Sequence, residues 1–244
     1  FAAAYRPFSS VIFETSWKPG PQKFDGQGRF TASVILRDLS ARSEIRAGHF
    51  PPSVGVRYDD HTVLTRRTPD AEGAQSLIPP FYAEPGVEAT WGQPGFLSLT
   101  AGIHGGRNLG EIGVRSLENG RIPLTSHKNK PSYLGRIEAR RRIDFHNTFF
   151  LAGSSFLRND DFTYSDLFAA AGIGKRASVI YEYAWTEKNT IRRTHGFSTE
   201  IAYRPSKSFI VYIRGERGIA ESAENMAESE VFTNQGIAGA QVFL

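Results

Sequence analysis

The feature that most constrains this chain is an alternation of apolar and polar residues with a period of two, renewed along nearly its whole length. Val11, Phe13, Thr15 and Trp17 alternate with Ser10, Ile12, Glu14 and Ser16, and Phe30, Ala32, Val34 and Leu36 alternate with Thr31, Ser33, Ile35 and Arg37. Ile45 and Ala47 alternate with Glu44, Arg46 and Gly48; Val87, Ala89 and Trp91 with Gly86, Glu88 and Thr90; Leu97, Leu99, Ala101 and Ile103 with Ser98, Thr100, Gly102 and His104. Tyr133, Gly135, Ile137, Ala139 and Ile143 then face away from Arg136, Glu138, Arg140, Arg142 and Asp144. Further segments follow at about 148–158, 162–174, 177–187, 194–204, 207–217 and 230–244. Within 177–187, Val179, Tyr181, Tyr183 and Trp185 oppose Ser178, Ile180, Glu182 and Thr186. Successive side chains of a strand point to opposite faces, so each segment reads as a strand with one apolar and one polar face.

The links between segments alternate in length. Short ones fall near Ser40–Arg42, Gln93–Gly95, His146–Asn147, Lys175–Arg176 and Pro205–Ser206. Long ones run over Pro19–Gly28, Pro51–Pro79, Arg107–Lys130 and Ala220–Ser229, with shorter members near Asn159–Asp161 and Lys188–Arg193. A Greek-key sandwich has no reason to keep such an alternation. An up-and-down antiparallel barrel, with tight turns at one rim and longer loops at the other, requires it. The expectation is one all-β transmembrane barrel domain over residues 1–244, with about 12 complete strands visible and 12–14 in the intact barrel. Segments 51–79 and 107–130 are its long outer loops.

A spanning strand needs only about 9–11 residues and shows lipid every second one, so its mean hydropathy resembles that of a soluble protein. The value here, −0.34, is of that kind. No stretch approaches the ~18 apolar residues of a membrane-spanning helix. There is no cysteine, which excludes disulfides, thiolate metal sites and covalent haem. The net charge of +4 is too small and too dispersed for nucleic acid. The aromatics Trp17, Trp91, Tyr133, Phe145, Trp185, Tyr203 and Phe209 sit near segment ends, where amphipathic rings favour the headgroup level. An internal echo links Ala4-Tyr5-Arg6-Pro7-Phe8-Ser9-Ser10 with Ala202-Tyr203-Arg204-Pro205-Ser206-Lys207-Ser208. By that analogy Phe1–Tyr5 is the tail of a further strand whose beginning lies upstream. The closing run Gly236-Ile237-Ala238-Gly239-Ala240-Gln241-Val242-Phe243-Leu244 resembles the carboxy-terminal assembly signal of bacterial outer-membrane proteins, with Leu in the last place. The resemblance implies an outer-membrane location, among lipid and lipopolysaccharide.

The polar phase is unusually charged. Glu14, Arg37, Glu44, Arg46, Glu84, Glu88, Arg136, Glu138, Arg140, Arg142, Asp144, Glu182, Glu200, Arg204, Arg214 and Glu216 all fall on it. An Arg at mid-bilayer on the lipid face costs about 2–4 kcal/mol, so these residues are expected to point inward. They form either a salt-bridged wall or a field lining an aqueous pore. The candidate pore-lining set is Arg37, Glu44, Arg46, Glu88, Arg136, Glu138, Arg140, Arg142, Glu182, Glu200, Arg214 and Glu216. Arg141 breaks the phase and is expected near the short-turn rim.

The stretch from Arg46 to Thr62 leaves a strand, turns through Pro51 and Pro52 and gathers charge before Arg66 and Arg67. It resembles a stretch found in bacterial porin-like proteins. An in-folded loop there would place Arg57, Asp59, Asp60, His61, Arg66 and Arg67 at a constriction facing Arg136, Arg140 and Arg142, where a local excess of Arg over acids would favour anions modestly. A solvated outer loop is the plainer reading. Asp60–His61 also resembles the Asp–His of outer-membrane proteases, without the rest of that pattern. Outer-membrane phospholipases place Ser two residues after His; His104-Gly105-Gly106 has Gly there, which removes the nucleophile. The six histidines show no paired ligand spacing, so no metal or other cofactor is expected. The leading expectation is a non-enzymatic porin-like channel for small polar or charged solutes. The alternative is a structural barrel that sheathes or anchors a protein partner such as an electron-carrying cytochrome, and a rim hydrolase using Asp60 and His61 comes third.

Overall fold

A computed structural model of the chain describes residues 2–8, 10–17, 30–37, 42–56, 83–92, 96–106, 114–116, 120–122, 130–143, 147–160, 162–174, 176–188, 192–222 and 231–242. Thirteen of its strands form one antiparallel sheet in unbroken chain order. They are β1 (Ala2–Phe8), β2 (Val11–Trp17), β3 (Phe30–Arg37), β4 (Glu44–Phe50), β5 (Glu84–Trp91), β6 (Leu97–His104), β9 (Ser132–Ile143), β10 (Thr148–Arg158), β11 (Phe162–Ile173), β12 (Ala177–Lys188), β13 (Arg192–Ser206), β14 (Phe209–Ser222) and β15 (Val231–Val242). β7 (Val114–Ser116) and β8 (Gly120–Ile122) form a separate small hairpin within the link between β6 and β9. β1 and β15 are the sheet's edges, and no ladder joins them among the described residues. In a meander the links alternate between rims, so the links before β2, β4, β6, β10, β12 and β14 share one rim and the longer ones share the other. Leu244, expected at the short-turn rim, lies outside the described residues.

The registers place the residues of each sequence phase on one common face. Glu14 stands opposite Ser33, Arg46 opposite Ile35 and Glu88, Thr90 opposite Thr100, and Arg136 opposite Thr100 and Ser155. The other face carries Phe13, Val87, Leu99, Ile103, Ile137, Leu167, Tyr181, Ile201 and Ile213, all exposed, while Glu88, Arg136, Glu138 and Asp166 are buried on the first. Apolar outside and charged inside is the reverse of a water-soluble protein. It is what a wall bathed in hydrocarbon requires, since the strands from β2 to β14 are laddered on both sides and apolar side chains face lipid. The protein is therefore all-β, an up-and-down antiparallel sheet of the transmembrane-barrel kind with its apolar face turned to lipid. Among the described residues no helix is long and apolar enough to cross a membrane, a fact silent about strands.

The internal echo is a structural repeat. In the β1–β2 hairpin the pairing runs Tyr5 to Phe13, slips, and resumes at Phe8 with Val11. In the β13–β14 hairpin it runs Tyr203 to Val211, slips, and resumes at Ser206 with Phe209. Both slips fall on the Arg-Pro pair, where proline has no N–H to give the ladder and the strand bulges.

The core lies on the sheet's inner side and is built around the chain leaving β4. Pro52 to Val56 are buried, and Val54 packs with Leu134 of β9, Leu157 of β10, Phe162 and Tyr164 of β11 and Ala184 of β12. Ser53 bonds Glu88 on β5, and Val56 bonds Glu182 on β12. Five strand spacings of ~4.8 Å separate β5 from β12, about 24 Å if the sheet were flat. Three residues span at most about 11 Å, and the Glu88 and Glu182 side chains stand roughly perpendicular to the sheet, so they add little distance along it. The sheet is curled, with this segment inside its curve.

The face assignment has a direct consequence. Ile137→Arg puts a charge on the lipid side in mid-strand, and equilibrium unfolding in lipid vesicles should show a loss of about 2–4 kcal/mol. An unchanged stability would show that Ile137 does not face hydrocarbon.

Candidate functional site

A segment that leaves a sheet and enters a barrel interior takes its backbone polar groups away from both ladder and bulk water, and each one needs a partner there. Residues 53–56 find theirs in the charged wall. The Glu88 carboxylate accepts from Ser53 N at 2.8 Å and from Ser53 Oγ at 2.5 Å. Val54 N turns back to Pro52 O at 2.8 Å. Gly55 N donates to Ser155 Oγ at 2.9 Å, and Val56 N to Glu182 Oε1 at 3.3 Å. Arg136 donates to the carbonyls of Ser53, at 3.4 Å, and of Gly55. Gly55 has φ +69°, a conformation that side chains resist, so glycine lets the segment turn under Arg136.

Each of these wall groups is itself held. Ser155 Oγ donates to Asp166 Oδ2 at 2.6 Å and Ser155 N to Asp166 Oδ1 at 2.8 Å, which leaves the Oγ lone pairs toward Gly55. Arg136 bonds Glu138 at 2.5 Å and lies 4.4 Å over the Phe168 ring, and Glu138 also receives Arg140. Tyr164 OH reaches Glu182 Oε1 at 3.4 Å. His104 Nε2 stands 3.1 Å from Glu88 Oε1 and packs edge-on against Phe50. The ring lies across Gly86 so closely that a Cβ there would sit 2.2 Å from Nδ1, so glycine at 86 makes room for the histidine.

The candidate pore-lining residues divide into groups. Arg37 pairs with Glu44 at 2.8 Å, and Arg46 pairs with Glu14 at 3.0 Å, bonds Ser33 and lies over Phe50. Glu88, Arg136, Glu138 and Glu182 surround the inward segment. Arg140 is half exposed, and Arg142 is exposed at the short-turn rim, bonded to Asn147 Oδ1 at 2.7 Å. Glu200 is buried opposite Arg214 in the β13–β14 ladder. Glu216 holds the same face by register, opposite Ser198, with its side chain outside the described residues. The constriction candidates Arg57, Asp59, Asp60, His61, Arg66 and Arg67 also lie outside them. Arg141 sits where its broken phase suggests, on the outer face two residues from the end of β9.

Arg136, only 7% exposed, meets carbonyls and Glu138 rather than an open aqueous gap. The expected anion preference summed the loop arginines with Arg136, Arg140 and Arg142, and Arg136 is not a free wall charge in that sum. Sequence reasoning also missed Ser53, His104, Ser155, Tyr164 and Asp166. Asp166 had a signal, a lone acid in phase with Phe162, Tyr164 and Phe168, which marks a buried polar contact. Ser53 and Ser155 had none. Among the described residues no group of three or more His, Asp or Glu is placed to hold a metal. Ser53, Glu88 and His104 do not form a nucleophile–base pair either, because the carboxylate stands between hydroxyl and imidazole.

No protein-family model matches the chain, and no curated protein matches it in sequence. Among solved structures it is similar to OmpT (in-vitro folded), an outer membrane protein of Vibrio cholerae. The alignment covers 99% of this chain and 88% of that one at 12% identity, with a TM-score of 0.41.

The two arginines of β9 should behave differently. Arg136→Ala strands two carbonyls and half of Glu138, and should cost about 3–5 kcal/mol in vesicle unfolding. Arg142→Ala, at the exposed rim, should stay within about 0.5 kcal/mol of wild type. Equal losses would contradict the anchoring role of Arg136.

Proposed function

We propose that the protein is a porin-like channel for passive diffusion of small polar or charged solutes, its bore narrowed by the inward segment at 51–56. One observation carries this reading: the backbone of residues 53–56 is tied to strands β5, β9, β10 and β12 through side chains of the inner wall. A segment so fixed would divide the interior, filling the side next to β9–β12 and leaving the remainder of the inner face to line a passage. Solutes would be sorted by size at this narrowing and by the field of the remaining wall charges.

The second reading, a barrel that sheathes a protein partner, draws on the apolar cluster around Val54, which packs part of the interior as a core would. The hydrolase reading would depend on Asp60 and His61, which lie outside the described residues.

Planar-bilayer recording separates the two readings. The channel reading expects steady open conductance from the purified protein, and larger, noisier conductance from Glu88→Ala, which frees both Ser53 contacts. A silent wild-type protein would favour the sheath, and a Glu88→Ala channel identical to wild type would remove 51–56 from the permeation path.

A further inference from the structure

On the lipid-facing side, between β9 and β12, the wall is dented. The registers align Ala139, Ala152 and Ala169 on three adjacent strands, with Ala171 beside them. Elsewhere on this face the same strands carry Ile137, Phe156 and Leu167. The alanines floor an open groove of about 420 Å³, walled by Phe150 and Tyr181. One rank nearer the short-turn rim, opposite Phe150, stands Arg141. It is exposed, lines the same groove, and makes no hydrogen bond or ion pair among the described residues.

A charge on the lipid face is costly at mid-bilayer but nearly free at the interface, which is where a residue two from the strand end lies. A guanidinium there is a bidentate donor suited to phosphate oxygens, and it projects from apolar surface at headgroup depth. An apolar trough running toward mid-membrane and ending at a cation has the shape and charge order of one phospholipid: acyl chain in the trough, phosphate at its rim. We propose that this groove is a phospholipid site on the outer wall, with Arg141 binding the headgroup phosphate and the Ala139–Ala152–Ala169 floor holding an acyl chain. The inference rests on the lipid-facing placement of this surface and is independent of whether the interior conducts.

The test is native mass spectrometry of the delipidated full chain titrated with dioleoylphosphatidylglycerol, with Arg141→Gln and Ala169→Trp compared against Ala101→Trp, an outward position outside the groove. One lipid per chain is expected for wild type and Ala101→Trp. Loss of the charge-assisted hydrogen bonds should weaken binding about tenfold in Arg141→Gln, and Ala169→Trp should abolish it by filling the trough. Retention of the lipid by both groove variants would overturn the proposal. Its displacement by inorganic phosphate alone would overturn the acyl-chain part, and a dimer that Ala169→Trp dissociates without any lipid bound would assign the groove to a second copy of this chain.

Discussion

Backbone hydrogen bonding sets the terms for this structure on both of its sides. In the hydrocarbon layer no unpaired N–H or C=O is tolerated, and antiparallel ladders on both sides of each strand from β2 to β14 answer that demand. The interior imposes the same demand wherever chain enters it without a ladder. The segment after Phe50 enters, and its amides and carbonyls are met by Glu88, Arg136, Ser155 and Glu182. Part of the wall's charge is thus explained by local need, because these side chains stand in for missing strand partners. A field acting on solutes is left to the charges that the segment does not use.

The same segment accounts for an oddity in the inner wall. Most strands are polar inside, but β11 presents Phe162, Tyr164 and Phe168 there with Asp166 between them, and β9 and β10 add Leu134 and Leu157. Phe168 lies under Arg136, while the other apolar side chains cluster with Val54 in a small core that gives the segment a hydrophobic hold to complement its hydrogen bonds. Asp166 remains buried among them because it fixes Ser155, which receives Gly55 N. Aromatics inside, acids beneath them and an inward loop are one arrangement.

Much of this was legible in the amino-acid sequence, and the limits have physical causes. Period two gave the faces of β2 through β6, β9 and β12 residue by residue, because on those strands lipid and interior demand opposite side chains. The repeated Tyr-Arg-Pro gave two hairpins with the same slip, because proline acts through its own missing donor and needs no distant context. On β11 both faces are partly apolar, so alternation fades and Asp166 looks incidental. The contacts of Ser53 and Ser155 were invisible for another reason: they join the inward segment to partners 35 and 100 positions apart, which no local pattern records.

The central claim is that residues 52–56 lie inside the curl against β9–β12. With no native cysteine, the pair Val54→Cys and Leu157→Cys in the folded, membrane-inserted protein reports on it directly under mild oxidation. The account predicts an efficient disulfide within one chain for this pair and none for Val54→Cys with Leu167→Cys, whose second site faces lipid. Failure of the first pair to link, or equal linking of both, would contradict it.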